Sequence, residues 1–414
     1  MTDTASDRWS RVQAHTVWML WITYGSFYFC RTNIAAAVPG IMDEFDLDRT
    51  QIGLILGSLK LCYGIGQFVN GQLAERYSAR VLLAIGMLAS ATLNVIFGFG
   101  TGLYFLLFVW ACNGYFQALG WTPSMRVAAN WFVHRRRGRA IGIIGTGYQA
   151  TAVATYVISG WSAEWLGWRG ALWIPAGLLV ISALHMLLFL REVPPGGTVD
   201  ATKRRRAKPA DAPWHRSVVA VISDRRLWAL ALALGLLNAC RYGFLDWGIT
   251  HLMEVHGGGV GKNALKYAVL PLGGIAGAAT TGWVTDRWLG GRRIPVVVGV
   301  MVLLGMLVLI YRASASASLF GSVVLLALIG FAIYGPQVLL VGTTPIDLAR
   351  RAGPAAAVGL VNFVGYLGAF SGDQVTGYLA DAHGWDSALW FWACCAFAGA
   401  VVVAPLWNAK AGQL

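Results

Sequence analysis

Charge is scarce in this chain. Only 12% of its 414 residues are Asp, Glu, Lys or Arg, while 57% are apolar. A soluble protein of this length would need several domains and about twice the charge. The opening stretch "MTDTASDRWSRVQ" has neither the apolar core nor the small-residue cleavage site of a secretory leader, so the first hydrophobic segment is expected to be a true membrane span. Cysteine is sparse too. Cys30, Cys62, Cys112, Cys240, Cys394 and Cys395 all fall inside apolar runs without metal-ligand spacing, and they read as small packing residues. No metal or cofactor is expected. No nucleophile–base constellation stands out, and His185 in "SALHMLL" reads as packed rather than catalytic, so an enzyme is not expected.

What is there instead is a succession of apolar runs, each long enough to cross a bilayer. Spans are expected near 16–40, 52–74, 81–99, 101–124, 140–163 and 169–190, then near 227–252, 264–285, 295–313, 318–345, 355–379 and 386–407. The fold class is therefore an all-α polytopic membrane protein of twelve transmembrane helices. The net charge of +13 sorts by side: Arg76, Arg80, Arg135–Arg137, Lys203–Lys208, Arg292 and Arg350 share one face, and little more than Arg49, Arg169, Lys262, Lys266 and Arg312 lie on the other. That asymmetry is an orientation signal, not a nucleic-acid footprint. It puts both termini and the central loop in the cytoplasm. Residues 191–226, proline-rich and basic, form the expected linker between an N-terminal bundle (1–190) and a C-terminal bundle (227–414).

The halves repeat each other. "GWRGALW" at Gly167 returns as "GWDSALW" at Gly384, 217 residues on, and "GQLAERYSAR" at Gly71 returns as "GWVTDRWLGGRR" at Gly282, 211 on. Arg31 in "SFYFCRTNIAAAVPG" has its counterpart in Arg241 of "NACRYGFLDWG", 210 on. Near-constant offsets indicate a parallel duplication with a site on the shared axis. The Gly71 and Gly282 segments resemble the loop signature of the major facilitator superfamily, Glu75 standing where aspartate is usual. Glu75 or Asp286 would cap a helix end and pair with arginines such as Arg76 and Arg287, latching that side of the carrier.

An arginine at the middle of a membrane helix costs at least ~2.5–3.5 kcal/mol, so two must hold something. A guanidinium keeps its charge and offers a planar fork of donors to phosphate or carboxylate. Two of them call for about two negative charges, which a phosphate ester carries. The bland alternative is a local acid partner, for which Asp246 beside Arg241 is the candidate.

At these residues the chain resembles the organophosphate:phosphate antiporters, the family of the glycerol phosphate and hexose phosphate transporters, along essentially its whole length. The likeness is carried by "RTNIAAAVP", "FQALGWTPSMR" with "NWF", "RYGFLDW", "IYGP" and "GYLG" followed by "GW". It implies two six-helix bundles related by a pseudo-two-fold axis, a rocker-switch exchange of organophosphate for inorganic phosphate across an inner membrane, and a functional monomer. It implies further that Arg31 and Arg241 clamp the phosphoryl group and that Tyr24, Tyr28, Gln117, Trp121, Tyr334 and Tyr366 line the cavity. The pattern departs at Tyr148 and Gln149, where the glycerol phosphate carriers have a histidine, and at Thr32, Gln67, Asn238 and Pro271. The substrate's organic part is thus not carried over. Lys60, two turns from Gln67 on the same helix face, and Asp373 are unmatched charges that are expected to bridge the bundles when the outside is closed; Lys60 as a third ligand cation, or Asp373 as a proton site, is the alternative. The rival functions are a proton-coupled carrier of another organic anion or a drug, and a transporter-like sugar phosphate sensor.

Overall fold

The computed structural model describes residues 10–132, 134–195, 221–289, 292–315, 317–345 and 354–408, and these form helices joined by short turns, without strands. The first pass begins at Ser10, whose hydroxyl accepts from Gln13 N while the Gln13 side chain returns to Ser10 N, a reciprocal cap. It consists of α1 (Arg11–Ser26), a 3₁₀ turn (Phe27–Cys30) and α2 (Ile34–Phe45). The chain returns through α3 (Arg49–Arg76), capped in the same way by Asp48 and Gln51. It continues through α4 (Ala79–Phe97), through α5 (Leu103–Gln117) with α6 (Trp121–Trp131) as one broken pass, and through α7 (His134–Leu166) and α8 (Gly170–Phe189).

The second half repeats this order. It has α9 (Arg225–His256), α10 (Val260–Tyr267) with α11 (Val269–Arg287), α12 (Ile294–Ser314), α13 (Leu319–Val338), α14 (Pro354–His383) and α15 (Trp385–Val403). The twelve passes fall where the apolar runs place them. Nine of the described helical stretches are by themselves long and apolar enough to span a membrane. The three passes that fall short are the broken first and eighth and the eleventh, which carries Gln374 and the fully buried Asp373.

The halves meet along two seams at the end of the molecule opposite the termini, called the far end below. On one, α3 lies against α14, and glycines let the backbones approach: Gly53 and Gly57 face the main chain of Asp373 and Phe370, and Gly377 faces Arg49 and Thr50. On the other, α7 meets α10 where Gly160 faces Ala264, and the Glu164 carboxylate accepts Gly261 N at 2.8 Å. Other glycines of the membrane helices pack within one half. Gly273, Gly274 and Gly277 pack on Ala327, Tyr334 and Phe331 of α13 in their own half, and Gly147 packs on Trp21 of α1. The crowded neighbour is the adjacent helix of the same bundle, which sequence spacing cannot distinguish from the opposite bundle.

At the far end the first turn of α3 is held from the other half. Asp381 of α14 accepts Arg49 N at 3.1 Å, Thr50 N at 2.7 Å and the Thr50 hydroxyl at 2.7 Å. The Arg49 guanidinium donates to Glu254 of α9 at 2.8 Å, and Glu254 also accepts from Trp385 Nε1 at 2.7 Å. The basic residues 203–208, 350 and 351 and the side chains of Glu75 and Asp286 lie outside the described residues; Arg76 and Arg287 are exposed in the last turns of α3 and α11.

Candidate functional site

Arg31 sits where the first pass unwinds. Between Cys30 and Ile34 the chain leaves the helical ladder, Arg31 adopting φ −122°, ψ −50°. A break inside a membrane frees backbone carbonyls that hydrocarbon cannot satisfy, and neighbouring helices must supply the donors. Here amides supply them. The Cys30 carbonyl accepts from Asn113 Nδ2 at 2.9 Å, Gln117 Nε2 at 3.3 Å and Asn94 Nδ2 at 3.4 Å, and the Phe27 carbonyl accepts from Gln117 Nε2 at 3.0 Å. Ser90 links the set, donating to Asn113 Oδ1 at 2.5 Å and accepting from Gln117 Nε2 at 2.7 Å, and Asn33 donates to Asn94 Oδ1 at 2.8 Å.

The remaining oxygen of Gln117 accepts Arg31 Nε at 3.2 Å, so the amide network that repairs the break also aims the guanidinium. Gln117 is therefore seated against the backbone rather than lying open to the cavity. Aromatic faces complete the seat: the Arg31 guanidinium lies 4.2 Å from the Tyr63 ring centroid and 4.9 Å from that of Tyr28, whose hydroxyl accepts from it at 3.4 Å.

Arg241 lies in the middle of α9, a helix of 32 residues. Its guanidinium stacks at 4.6 Å over Tyr242 and 5.0 Å over Tyr334, and its Nε has no hydrogen-bond partner among the described residues. Both arginines are buried, at 6% and 3% exposure. Among the described residues neither is ion-paired to a carboxylate. Together with Tyr28, Lys60, Tyr242 and Asp246 they line one small cavity of about 10 Å³, room for a single water.

Asp246, the candidate local partner of Arg241, is engaged elsewhere. It accepts a short hydrogen bond from Lys60, and the same ammonium lies 2.6 Å from Asp373. Lys60 Nζ also donates to its own Leu56 carbonyl at 2.9 Å. One lysine of α3 thus ties the first half to α9 and α14 of the second. The two arginines do not stand alone, because Lys60 and Asp246 line the same cavity and Asp373 joins them through Lys60. Three cations and two carboxylates give a formal sum of +1, where the arginines alone give +2.

The other residues expected at the site divide. Tyr148 stacks on Tyr28 at 5.0 Å and reaches Tyr334 across the halves at 6.1 Å; Tyr366 meets Tyr63 at 4.6 Å; Tyr24 packs on Trp121 at 4.8 Å, closer to the termini. Gln149 is buried with an unpartnered Nε2. Asn238 donates to the Gly365 carbonyl at 3.0 Å and so ties α9 to α14. Sequence reasoning missed Tyr63, Tyr242, Ser90, Asn94 and Asn113. The only signal for the amides was four polar side chains spaced at 4, 19 and 4 residues inside apolar runs.

The model of the Major Facilitator Superfamily matches residues 20–372. The glycerol-3-phosphate transporter of Bacillus subtilis is 29% identical over 94% of this chain and 91% of its own length. A membrane sensor protein of Escherichia coli, UhpC, is 26% identical over 96% and 92%. A crystal structure of a bacterial homolog to the human lysosomal transporter Spinster, in an inward-facing and occupied conformation, superposes with a TM-score of 0.73 at 19% identity, covering 97% of this chain and 96% of that one.

Proposed function

The chain belongs to the Major Facilitator Superfamily, and from that premise we propose that it exchanges a phosphate ester, or a phosphonate-like organic anion, for inorganic phosphate, with the phosphoryl group held between Arg31 and Arg241. The observation that supports this most is the pair itself: two buried guanidinium groups, one from each half, on a single cavity, with no carboxylate paired to either among the described residues. A phosphoryl group is the bidentate, doubly charged partner such a pair lacks. Similarity to a glycerol-3-phosphate transporter points the same way.

Exchange follows from electrostatics. An empty carrier must desolvate two like charges to rock, while a bound anion neutralises them, so the loaded form crosses more readily. In this reading residues 1–190 and 227–414 rock about the linker 191–226, both termini face the cytoplasm, and the carrier works as a monomer in an inner membrane without nucleic acid or cofactor. The far-end contacts through Arg49, Lys60 and Glu164 are those of a carrier shut to the outside.

Counterflow of labelled phosphate into liposomes tests it, with Arg31→Lys and Arg241→Lys as controls. Uptake is expected only into phosphate-loaded vesicles and is expected to fall at least about 100-fold in each variant, since a point charge cannot replace a fork. Uptake driven by a pH gradient and indifferent to internal phosphate would replace exchange with proton-driven transport of an organic anion. Similarity to a membrane sensor favours one further reading, a sugar phosphate sensor, which tight ligand binding without flux would identify.

A further inference from the structure

We propose that the two carboxylates held on Lys60 form a proton site, so that one proton travels with each divalent phosphate ester. The inference rests on the reading above, in which the arginine cavity takes a phosphoryl anion.

Lys60 of α3 stands between Asp246 of α9 and Asp373 of α14, and the three side chains are 3%, 6% and 0% exposed. One ammonium neutralises one carboxylate. The second is surplus, and two carboxylates crowded on one cation resist being ionised together. What sustains both in the empty carrier is the arginine pair, which lines the same cavity as Lys60 and Asp246.

The other ionisable side chains around the triad are phenols. Tyr63 comes from α3, Tyr366 from α14 and Tyr28 from the first pass. Tyr242 of α9 lies under both Lys60, at 5.1 Å, and Arg241, at 4.6 Å. Behind Asp246, Tyr156 of α7 and Tyr267 of α10 spend their hydroxyls on the Leu245 and Phe244 carbonyls. The ionic account of the cavity is therefore the +1 of three cations and two acids.

A divalent phosphoryl group between the arginines turns that sum to −1 and removes the field that kept both carboxylates ionised. A proton from the solution on the loading side then binds the Asp246–Asp373 pair and brings the sum to zero. When the anion leaves on the other side, the arginines are uncovered and the proton departs with it. Only an O–H bond forms and breaks, and the proton comes from and returns to water.

Phosphate self-exchange in proteoliposomes tests this, with the half-saturating concentration measured across phosphate's second ionisation. For the wild type it is expected to be level below that ionisation and to rise about tenfold per pH unit above it, one proton being bound with each dianion. Asp373→Asn and Asp246→Asn each leave a cavity sum of +2, which a dianion neutralises without a proton. Their profiles are expected to invert, level above the ionisation and weakening below. Each variant removes one of two like charges from a shared lysine, so melting temperatures at or above the wild-type value are expected and show that they fold. A wild-type profile that is flat above the ionisation overturns the proton site while leaving exchange intact. So does a wild-type slope retained in both variants. Absence of exchange at every pH overturns the parent reading instead.

Discussion

Arg31 and Arg241 occupy equivalent places in the two halves, yet they are seated differently. The first lies on a broken pass whose loose carbonyls are taken up by Asn94, Asn113 and Gln117, and Gln117 grips the guanidinium directly. The second lies on an unbroken helix between two tyrosine faces, with its Nε unpartnered. The corresponding helices of the second half, α12 and α13, carry no Asn or Gln until Gln337. Duplication kept the charge and not its mounting. In the proposed exchange, a fixed guanidinium in one half and a looser one in the other would let the second half close onto an anion already oriented by the first.

Breaking the link between the two seats is expected to have the largest effect. Lys60→Met leaves Asp246 and Asp373 buried without their cation, a loss of about 3–5 kcal/mol, seen as a collapse of the folded fraction in detergent. Adding Asp246→Asn and Asp373→Asn to Lys60→Met is expected to restore most of it. If Lys60→Ala and Asp373→Ala instead combine additively in a double-mutant cycle of transport, Lys60 and Asp373 do not act as one gate.

The next effect separates the mountings. Asn113→Ala removes the shortest of the three amide bonds to the Cys30 carbonyl, and Gln117→Ala removes another together with the one to the Phe27 carbonyl; each is expected to cost about 1–3 kcal/mol, with weaker phosphate binding in the Gln117 variant because Arg31 loses its guide. Asn238→Ala, which removes one helix–helix hydrogen bond in the second half, is expected to cost about 1 kcal/mol and to leave binding nearly unchanged. Thermal melts and half-saturation constants on the three variants make the contrast; equal binding defects would erase it.

Smaller still is the response of the aromatic seat. Tyr334→Leu removes one ring face from Arg241 and is expected to weaken phosphate binding about tenfold, in line with ~0.5–2 kcal/mol for a partly desolvated cation–π contact, whereas Tyr334→Phe keeps the face and most of the affinity. The smallest effect belongs to an ion pair within the first half at its exposed far end. Hydrogen bonds from Arg169, at 2.5 Å, and from Trp168 hold the Glu44 carboxyl down to about 2. The stabilisation is complete above the ordinary carboxylate range and is lost as pH falls toward about 2. Because both partners are well exposed it is worth below ~1 kcal/mol. Glu44→Gln should lower the melting temperature slightly at neutral pH, a difference that closes on acidification.

Much of this architecture was legible in the sequence, because hydropathy and near-constant repeat offsets each report a bulk constraint. Arg31, Arg241, Lys60 and Asp373 announced themselves as charges where charge is expensive. The mounting did not. Neither glycine nor proline marks the break at 27–33, and Ser90, Asn94 and Asn113 look like incidental polar residues until three helices bring them to one carbonyl. Tyr63 and Tyr242 were passed over because an aromatic in an apolar run is usually packing. Asp246 lies five residues from Arg241 in sequence, yet the helix turns it toward Lys60 of the other half.

The cap that Asp381 places on Arg49 N and Thr50 N has a consequence for how the carrier reports its own state. The opening amides of a helix lack partners within it, and here two are supplied by the opposite bundle. Each time the far end opens, these two amides are given up to water, and each closure covers them again. Two peptide hydrogens thus become a clock of the transport cycle: their exchange with deuterium should run at the pace of opening, slow when a ligand locks the far side and fast when it is held ajar.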